Sequence, residues 1–421
     1  MKNKLMFFLI IISILIGIPY VDAERIRVND VSIYNEDINL ELKSKNVILY
    51  NLDNKVKLYE LNSDEKVQIA SLTKIMTVYV LAENIKDLKK EVTISAEVFN
   101  DLNGYVQAGL KVGDKVSFED LLYGIMLPSG ADCVNAAIIG SGLSKDKFIE
   151  LMNNTAKELK LNNTHFDNAI GMDSKGNYST AKDLSKLLMK ALDNDVFKKV
   201  YTTKKYTMSN GLKLNSTLIS YGRTLDTDNV IGAKSGFTDG AGVCLASIAE
   251  YNKTNYLLIV LGASSLDKSN AIRDSLSLYN YYNDNYSYKK IFTKNQLLKK
   301  INIKWGKKKK YVIKSNKNIE IYLNNKIEPD DIEYSYKGVK ELNYKIKKGD
   351  KLGTVTAKSN GKVLNVYDVY LDEKIDYYHP VLYTIMVISL LGIISSIYSI
   401  FNKKKTKKKR RKKRRKRKKR K

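Results

Sequence analysis

Residues 67–77 read VQIASLTKIMT and place Ser71 and Lys74 three positions apart at the start of a helical pattern. Apolar residues continue this pattern at Ile75, Val78, Tyr79, Ala82 and Ile85. Residues three apart share one face of a helix, so the Lys74 amine is expected to reach the Ser71 hydroxyl. Backbone N–H groups at a helix N-terminus can hold an oxyanion, and the helix dipole there disfavours an ammonium, which favours Lys74 as a neutral base. The pattern Ser-x-x-Lys alone is weak evidence, because it occurs seven times in this lysine-rich chain.

A second segment, residues 121–132, reads LLYGIMLPSGAD. Pro128 ends an apolar helical run, and Ser129 stands where the next helix is expected to begin. A serine in that setting is commonly a helix cap, with Asp132 completing the cap three residues later. The residues by themselves leave open whether Ser129 is a cap or takes part in catalysis.

The third segment, residues 230–238, reads VIGAKSGFT and precedes a strand-like run at residues 241–249. In an ideal strand Lys234 and Ser235 point to opposite faces, so both can serve one substrate only from an exposed sheet edge. Gly236 would let an extended substrate approach the backbone closely. Plain alternation of exposed and buried side chains is the simpler interpretation of the same residues.

The beginning of the chain predicts export. Lys2 and Lys4 precede an apolar run at residues 5–18, which is short for a membrane span, and a small-residue cleavage site follows at Ala23. Residues 1–23 are therefore predicted to be a secretory signal peptide, with an uncleaved anchor as the alternative.

The end of the chain predicts membrane attachment. Residues 381–401 carry no charge and are long enough for a transmembrane helix. In the segment 403–421 that follows, 18 of the 19 residues are basic, so the positive-inside rule predicts a cytoplasmic tail and an extracellular body. The expected contact of this tail is with anionic lipid headgroups, and no specific nucleic acid is predicted.

The composition narrows the chemistry. The chain has 421 residues and a formal charge of +28, most of which belongs to the basic tail. His165 and His379 are its only histidines, which argues against a zinc hydrolase with several imidazole ligands. Cys133 and Cys244 are its only cysteines, which excludes a disulfide-rich scaffold and leaves one bridge open.

The order SLTK, SGA, KSG, together with its context, resembles the serine D-alanyl-D-alanine carboxypeptidases among the low-molecular-mass penicillin-binding proteins. The context comprises AS-x-TKIMT, LLYG-x-MLPSG and G-x-KSGFT-x-x-AG-x-CL. Residues 164–171 (THFDNAIG) and 176–187 (GNYSTAKDLSKL) are also similar to the family, so the resemblance covers residues 40–280. It implies a serine-type peptidase, a hydrolase that removes the terminal D-alanine from peptidoglycan stem peptides.

The resemblance also implies the fold class. This is an α+β fold with a penicillin-binding/β-lactamase-like transpeptidase domain, an antiparallel sheet flanked by helices, followed by a small all-β domain and a C-terminal transmembrane helix. Short strand patterns at residues 310–313, 319–323 and 351–356 agree with the all-β domain. The predicted domains are the signal peptide (1–23), the serine D,D-peptidase catalytic domain (24–285), the β-rich C-terminal domain (286–376), the transmembrane helix (381–401) and the polybasic cytoplasmic tail (403–421).

Three catalytic roles follow from the resemblance. Ser71 would be the nucleophile that attacks the carbonyl between two D-alanines, and Lys74 would be the base that takes its proton. Ser129 would pass a proton to the departing D-alanine nitrogen. Water would then hydrolyse the acyl-enzyme.

The resemblance also implies a substrate-binding set. Lys234 and Ser235 would hold the terminal carboxylate of the substrate through charge-assisted hydrogen bonds. Gly236 would let the substrate approach, and the backbone N–H of Phe237 would share the oxyanion hole with that of the nucleophile. Arg273 would add a second positive group near the carboxylate, with a surface salt bridge as the alternative.

Expected partners are stem peptides that end in D-Ala-D-Ala, β-lactams as acylating inhibitors, and the membrane itself. No metal or other cofactor is implied. The expected location is the bacterial cell membrane, with a single pass and an extracellular catalytic domain.

One residue departs from the family in a way that bears on activity. Ala131 stands where the second motif usually has Asn, so no amide is available there. One alternative is therefore a catalytically impaired penicillin-binding or cell-wall-binding protein, although retention of both motif lysines and both motif serines argues against it. A second alternative is a β-lactamase, which needs a positioned carboxylate to activate the deacylating water. Ser235 in place of the usual Thr keeps the hydroxyl.

Overall fold

The computed structural model describes residue 38 and residues 40–315, 317–378 and 380–418. The predicted signal peptide, residues 1–23, lies outside the described residues, as does His379. The described chain forms two units. Among the described residues, the first unit contains those from 38 to 287 with Asn324–Lys326, and the second contains those from 288 to 323 and from 327 to 418.

A single antiparallel sheet organises the first unit. The strands of the first unit are β1 (Asn46–Asn51), β2 (Val56–Leu61), β3 (Glu91–Thr93), β4 (Lys115–Ser117), β5 (Lys205–Thr207), β6 (Lys213–Asn215), β7 (Val230–Thr238), β8 (Gly242–Tyr251) and β9 (Thr254–Ala263). Within the described residues, five of them pair in the order β2-β1-β9-β8-β7, and the other four form two short antiparallel sheets, β3-β4 and β5-β6. The central strands β8 and β9 are apolar and buried over most of their length, as expected where helices cover both faces of a sheet. Strand β7 lies at one edge of this sheet.

Helices surround the sheet. They are α1 (Thr73–Asn84), α2 (Phe118–Met126), α3 (Ala131–Ser141), α4 (Lys145–Glu158), α5 (Ala181–Ala191), α6 (Asp195–Thr202), α7 (Thr217–Tyr221) and α8 (Asn270–Asn285). The first nine residues of α1 are all buried, including Lys74, as expected of a helix inside a domain. Helix α8 packs on the sheet, where the hydroxyls of Tyr279 and Ser247 lie 2.8 Å apart. Helix α2 begins at a reciprocal capping box between Ser117 and Asp120.

The second unit consists of short strands followed by one long helix. Its strands are β10 (Tyr286–Phe292), β11 (Leu297–Ile303), β12 (Lys310–Lys314), β13 (Ile319–Asn324), β14 (Glu333–Gly338), β15 (Glu341–Leu342), β16 (Lys351–Ser359) and β17 (Lys362–Tyr370). They pair as β10-β13, β12-β11-β15 and β14-β16-β17. The strand patterns predicted at residues 310–313, 319–323 and 351–356 fall within β12, β13 and β16, which confirms the predicted β-rich character of this region.

The long helix α9 (Pro380–Lys418) carries the predicted membrane segment. In the part of the chain that the structure describes, it is the one helix that is long and apolar enough to cross a membrane. Its apolar side chains are exposed to the surroundings, as they would be when facing lipid. The helix continues beyond the apolar segment into the basic tail.

Candidate active site

Ser71 lies on a tight turn at the entrance to α1. The turn is a short 3-10 helix, Ala70–Leu72, and the α-helix continues directly from it. Ala70 has a φ of +46°, a left-handed conformation that costs a residue with a side chain about 1 kcal/mol. Such strain is common where a protein holds a functional group in a fixed position.

The Lys74 amine lies beside the Ser71 hydroxyl. Its Nζ is 3.1 Å from Ser71 Oγ and donates a second hydrogen bond of 2.6 Å to the carbonyl of Ile170. The side chain is 2% exposed. Burial lowers the pKa of Lys74 to about 7, and the negative charge of Asp132 partly opposes this shift. A substantial fraction of the amine is therefore neutral near pH 7 and able to accept a proton.

Ser129 is held in the loop between α2 and α3 with a φ of +70°. The helix-cap interpretation of this residue is wrong. Helix α3 begins at Ala131 after Gly130, and no side chain caps it. The buried Ser129 Oγ has no hydrogen-bond partner among the described residues. A buried hydroxyl without a partner is costly, so it is a candidate to bond a substrate.

Asp132, whose charge acts on Lys74, holds a neighbouring loop in place. Its carboxylate is buried and accepts four backbone hydrogen bonds of 2.7 to 3.1 Å, from the N–H groups of Ala108, Gly109, Leu110 and Cys133. It thereby fastens the loop at residues 106–110 to the start of α3. This role was not predicted from the sequence, because the loop lies more than 20 positions away along the chain.

Lys234, Ser235 and Gly236 lie on the edge strand β7. The expectation that both polar residues require a sheet edge agrees with that position. The Lys234 side chain is 1% exposed, and its Nζ donates a 2.7 Å hydrogen bond to the Ser235 carbonyl. Burial, assisted by the nearby charge of Lys74, holds the pKa of Lys234 well below its ordinary value. The two motif lysines therefore share one buried site.

Two glycines allow the backbone to close around Ser71. A Cβ at Gly236 would lie 2.9 Å from the Ser71 nitrogen, so β7 runs directly against the turn that carries Ser71. Gly171, with a φ of +86°, is just as close, since a Cβ there would overlap the Ala70 carbonyl and lie 2.9 Å from the Ser71 nitrogen. Gly171 and the neighbouring Ile170 were not assigned a role from the sequence. The signal was present, because both belong to the segment THFDNAIG.

The remaining predicted residues lie farther along the same edge or on α8. The Phe237 ring is partly exposed and lies 4.7 Å from the Lys268 Nζ. Arg273 pairs with Asp267 at 3.5 Å and donates a hydrogen bond to Ser269. Its contacts are those of the surface salt bridge that was the alternative for this residue.

The two thiols near the site are not suited to nucleophilic chemistry. Cys133 and Cys244 are free and buried. Burial raises the pKa of Cys133 well above its ordinary value and that of Cys244 to about 12. Among the groups brought together here, the Ser71 hydroxyl is the one with a base beside it.

Comparison with known sequences places both units in described families. Residues 33–265 match the family described as D-alanyl-D-alanine carboxypeptidase, and residues 286–377 match the penicillin-binding protein 5 C-terminal domain. The chain is 38% identical over 219 residues to the D-alanyl-D-alanine carboxypeptidase DacC of Escherichia coli, in an alignment that covers 49% of this chain and 54% of that relative. It is 27% identical over 327 residues to DacF of Bacillus subtilis, covering 76% and 83% of the two chains. It is 36% identical to the D-alanyl-D-alanine carboxypeptidase of Streptomyces sp. K15, covering 53% and 81%.

Solved structures give the same fold. Penicillin-binding protein 5 of Haemophilus influenzae superposes with a TM-score of 0.66 at 22% identity, covering 81% of this chain and all of that one. The K15 DD-transpeptidase of Streptomyces superposes with a TM-score of 0.52 at 30% identity, covering 58% and 98%. These likenesses confirm the predicted fold class, a penicillin-binding transpeptidase-like domain followed by a small β domain.

Proposed function

Since the chain belongs to the D-alanyl-D-alanine carboxypeptidase family of serine peptidases, we propose that it removes the terminal D-alanine from peptidoglycan stem peptides through an acyl-enzyme on Ser71. The observation that carries this proposal is the distance of 3.1 Å between the Ser71 hydroxyl and a lysine amine with a pKa of about 7. An ordinary lysine would be protonated at neutral pH and could not act as a base.

Acylation begins with transfer of the Ser71 proton to the neutral amine of Lys74. The Ser71 oxygen then forms a bond to the carbonyl carbon between the two D-alanines. The carbonyl electrons move to oxygen in the tetrahedral intermediate and return when the C–N bond breaks. The departing D-alanine nitrogen needs a proton, and the unpartnered hydroxyl of Ser129 is the group proposed to relay one to it.

The developing oxyanion needs two N–H donors. We assign them to the backbone of Ser71 and Phe237, as the family resemblance implies. The assignment is supported by the close packing of β7 against the nucleophile turn at Gly236, the residue that precedes Phe237. The absence of a side chain at Gly236 is what permits this approach.

Lys234 is proposed to bind the free carboxylate at the end of the substrate, with Ser235 beside it. In the free protein the pKa of Lys234 is held well below its ordinary value, first by burial and then by Lys74. A bound carboxylate favours the protonated form of the same amine. Binding of a substrate with a free C-terminus is therefore coupled to uptake of a proton at Lys234.

The acyl-enzyme can be released by water or by an amine. The K15 relative is named a carboxypeptidase, and its solved structure is called a transpeptidase. In this chain Ala131 offers no amide to the site, which bears on the rates of both formation and release of the ester. Hydrolysis is the outcome proposed here, and β-lactams are proposed to acylate the same serine.

The proposed arrangement of the whole chain follows from its two ends. Residues 24–285 form the catalytic domain and residues 286–376 the β domain, both extracellular. Residues 381–401 cross the bacterial cell membrane once, and residues 403–421 lie in the cytoplasm. This is supported by the apolar helix α9 and by the basic residues that follow its apolar segment.

The decisive experiment is intact-mass analysis of the full-length protein in detergent after incubation with benzylpenicillin. We expect one covalent adduct, and none in Ser71→Ala. In parallel, the wild-type chain should release free D-alanine from a peptide ending in D-Ala-D-Ala, and Ser71→Ala should release none. An added amine acceptor would reveal transfer as a product of different mass.

Two results would overturn the proposal. An adduct that persists in Ser71→Ala would place the nucleophile elsewhere. No adduct and no D-alanine release from a folded wild-type chain would favour the cell-wall-binding alternative. In that case Ala131→Asn tests the reason, because restored acylation would trace the loss to the missing amide.

A further inference from the structure

The chain has one tryptophan, and it lies in a lysine-rich loop of the second unit. We call residues 304–309, with the sequence KWGKKK, the tryptophan loop; it connects β11 to β12. Trp305 has a φ of +61°, a left-handed conformation unusual for a large side chain, and its indole is 45% exposed. The backbone thus adopts a strained turn that presents an aromatic ring to the surroundings.

The tryptophan loop is fastened to the chain that enters α9. Gly306 forms a β-bridge with Tyr377. The Lys307 nitrogen donates to the Asp376 carbonyl at 2.9 Å, and the Tyr378 nitrogen donates to the Trp305 carbonyl at 2.7 Å. These hydrogen bonds fix the loop beside the first turn of α9.

Two exposed aromatic rings meet at this place. The Trp305 ring lies 5.6 Å from that of Tyr383, in the first turn of α9, and both rings are about half exposed. Tyr378, whose backbone bonds to Trp305, is also about half exposed. Tyr383 lies at the start of the apolar segment of α9. Tryptophan and tyrosine concentrate at the membrane–water interface because their rings are apolar and their N–H or O–H groups are polar.

The same place carries an excess of positive charge. Lys304, Lys309 and Lys310 are exposed and have no carboxylate partner among the described residues, while Lys307 pairs with Asp376 at 3.8 Å and Lys308 with Glu373 at 3.3 Å. The nearby Asp372 accepts a hydrogen bond from Tyr311, and Lys374 adds a further positive charge. Six lysines therefore face three carboxylates in residues 304–310 and 372–376.

The excess of charge extends over the β domain but not over the catalytic domain. Residues 286–378 contain 22 lysines against 11 acidic residues, whereas residues 24–285 contain 31 basic against 33 acidic residues. A general increase in lysine content would have raised the charge of both parts. The positive charge is concentrated in the part of the chain that leads into the apolar helix.

We propose that the tryptophan loop is a binding surface for anionic phospholipids of the membrane that α9 enters. Trp305 lies in the interface between headgroups and acyl chains, and Lys304 and Lys309 contact the headgroup phosphates. This contact is separate from that of the basic tail, which lies beyond the other end of the apolar segment. The proposed lipid contact of the tryptophan loop rests on the proposed membrane crossing by α9 and does not depend on the peptidase activity.

The test uses the fluorescence of Trp305, which is free of interference from any other tryptophan. The full-length protein is reconstituted into nanodiscs whose scaffold protein lacks tryptophan, made of phosphatidylcholine alone or mixed with phosphatidylglycerol. Both preparations carry phosphatidylcholine brominated at carbons near the headgroup as a quencher. We expect blue-shifted and at least twofold more strongly quenched Trp305 emission in the anionic discs.

A matched pair of variants assigns the effect to the loop. Lys304→Gln with Lys309→Gln should abolish the difference between the two lipid mixtures. Lys294→Gln with Lys317→Gln removes the same charge at the opposite end of the β11–β12 hairpin and should retain the difference. Equal quenching in both lipid mixtures, or an equal loss in both double variants, would overturn the proposal.

Two controls separate this result from failure of other proposals. Covalent labelling by benzylpenicillin on the same discs reports whether the catalytic domain is intact. Retention of the protein with the discs at high salt reports whether α9 is inserted. If soluble polyglycerol phosphate alters Trp305 emission and anionic lipid does not, the surface binds a phosphate polymer and the lipid proposal is wrong.

Discussion

At the scale of single residues, the candidate site contains two buried lysines, Lys74 and Lys234. Burial deprives each amine of water, which lowers both pKa values, and the charge of Lys74 lowers the pKa of Lys234 further. Their proposed tasks require opposite protonation states, because Lys74 as a base must be neutral and Lys234 must be charged when it holds a carboxylate. Asp132 shifts the balance by favouring the charged form of Lys74.

The rate of acylation should therefore depend on pH through Lys74. The pKa of this amine is about 7, so the neutral base is lost as the pH falls below that value. We expect the rate constant for acylation by benzylpenicillin to rise through a midpoint near 7 and to fall about tenfold per pH unit below pH 6. Stopped incubations followed by intact mass measure this profile. A rate that is flat between pH 5 and pH 8 would exclude Lys74 as the base.

Asp132→Asn should displace the same profile. Removing the negative charge lowers the pKa of Lys74 further, so the midpoint should move to lower pH. The variant also turns an amide toward backbone N–H donors, which should cost on the order of 3 kcal/mol in urea unfolding. Asp183→Asn is the matched control, because it loses a buried acceptor that Lys74 does not sense and should leave the midpoint unchanged. A midpoint shift in both variants would mean that the shift comes from a general loss of stability and not from the charge of Asp132.

Short-range contacts were predictable from the sequence and long-range ones were not. The approach of Lys74 to Ser71 follows from helical spacing, because both belong to one turn. The carbonyl of Ile170, which receives the other hydrogen bond of Lys74, lies 96 positions away, and no local pattern indicates it. The role of Asp132 was missed for the same reason. Its local pattern suggested a cap, whereas the buried carboxylate bonds a distant loop.

At the scale of elements, the candidate site forms where the edge strand β7 and the turn at the start of α1 come into backbone contact. The all-β character of the second unit was indicated by its short strand patterns, and the antiparallel sheet flanked by helices was implied by the family resemblance. The left-handed conformations of Ala70 and Ser129 were not predictable, because neither residue type favours that conformation. They are imposed by packing of whole elements against one another.

Gly171→Ala should disrupt that packing selectively. Gly171 has a φ of +86°, and a Cβ there would overlap the backbone of Ala70 and displace the nucleophile turn. We expect the acylation rate to fall at least 100-fold, roughly the effect of misplacing a reacting group by 1 Å. Gly142→Ala is the matched control, because Gly142 has a φ of +79° with no atom within 4 Å of a Cβ.

The two glycine variants share the cost of a left-handed alanine, about 1 kcal/mol each. Gly142→Ala should therefore lose stability and keep its acylation rate. Intact-mass kinetics and thermal unfolding of both variants separate the two effects. Comparable acylation in both would mean that the turn tolerates displacement and that the glycine at position 171 is not required for catalysis.

At the scale of the whole molecule, charge and hydropathy are distributed along the chain in an ordered way. A nearly neutral catalytic region is followed by a basic β domain, an uncharged segment of 21 residues and a basic tail. This distribution was fully visible in the sequence, because it is a property of composition rather than of packing. It predicts an orientation in the membrane, since the flank of an apolar helix that is richer in lysine and arginine, here residues 403–421, is retained in the cytoplasm.

The orientation has a direct test in right-side-out and inverted membrane vesicles. A membrane-impermeant fluorescent penicillin should label Ser71 only in right-side-out vesicles. Trypsin should remove the basic tail only in inverted ones, because residues 403–421 are proposed to be cytoplasmic. Detergent should abolish both differences, which controls for intrinsic resistance of either part. Labelling of the catalytic domain and cleavage of the tail on the same side of a sealed membrane would mean that α9 does not cross it, and the lipid contacts of the tail and the tryptophan loop would then belong to one leaflet.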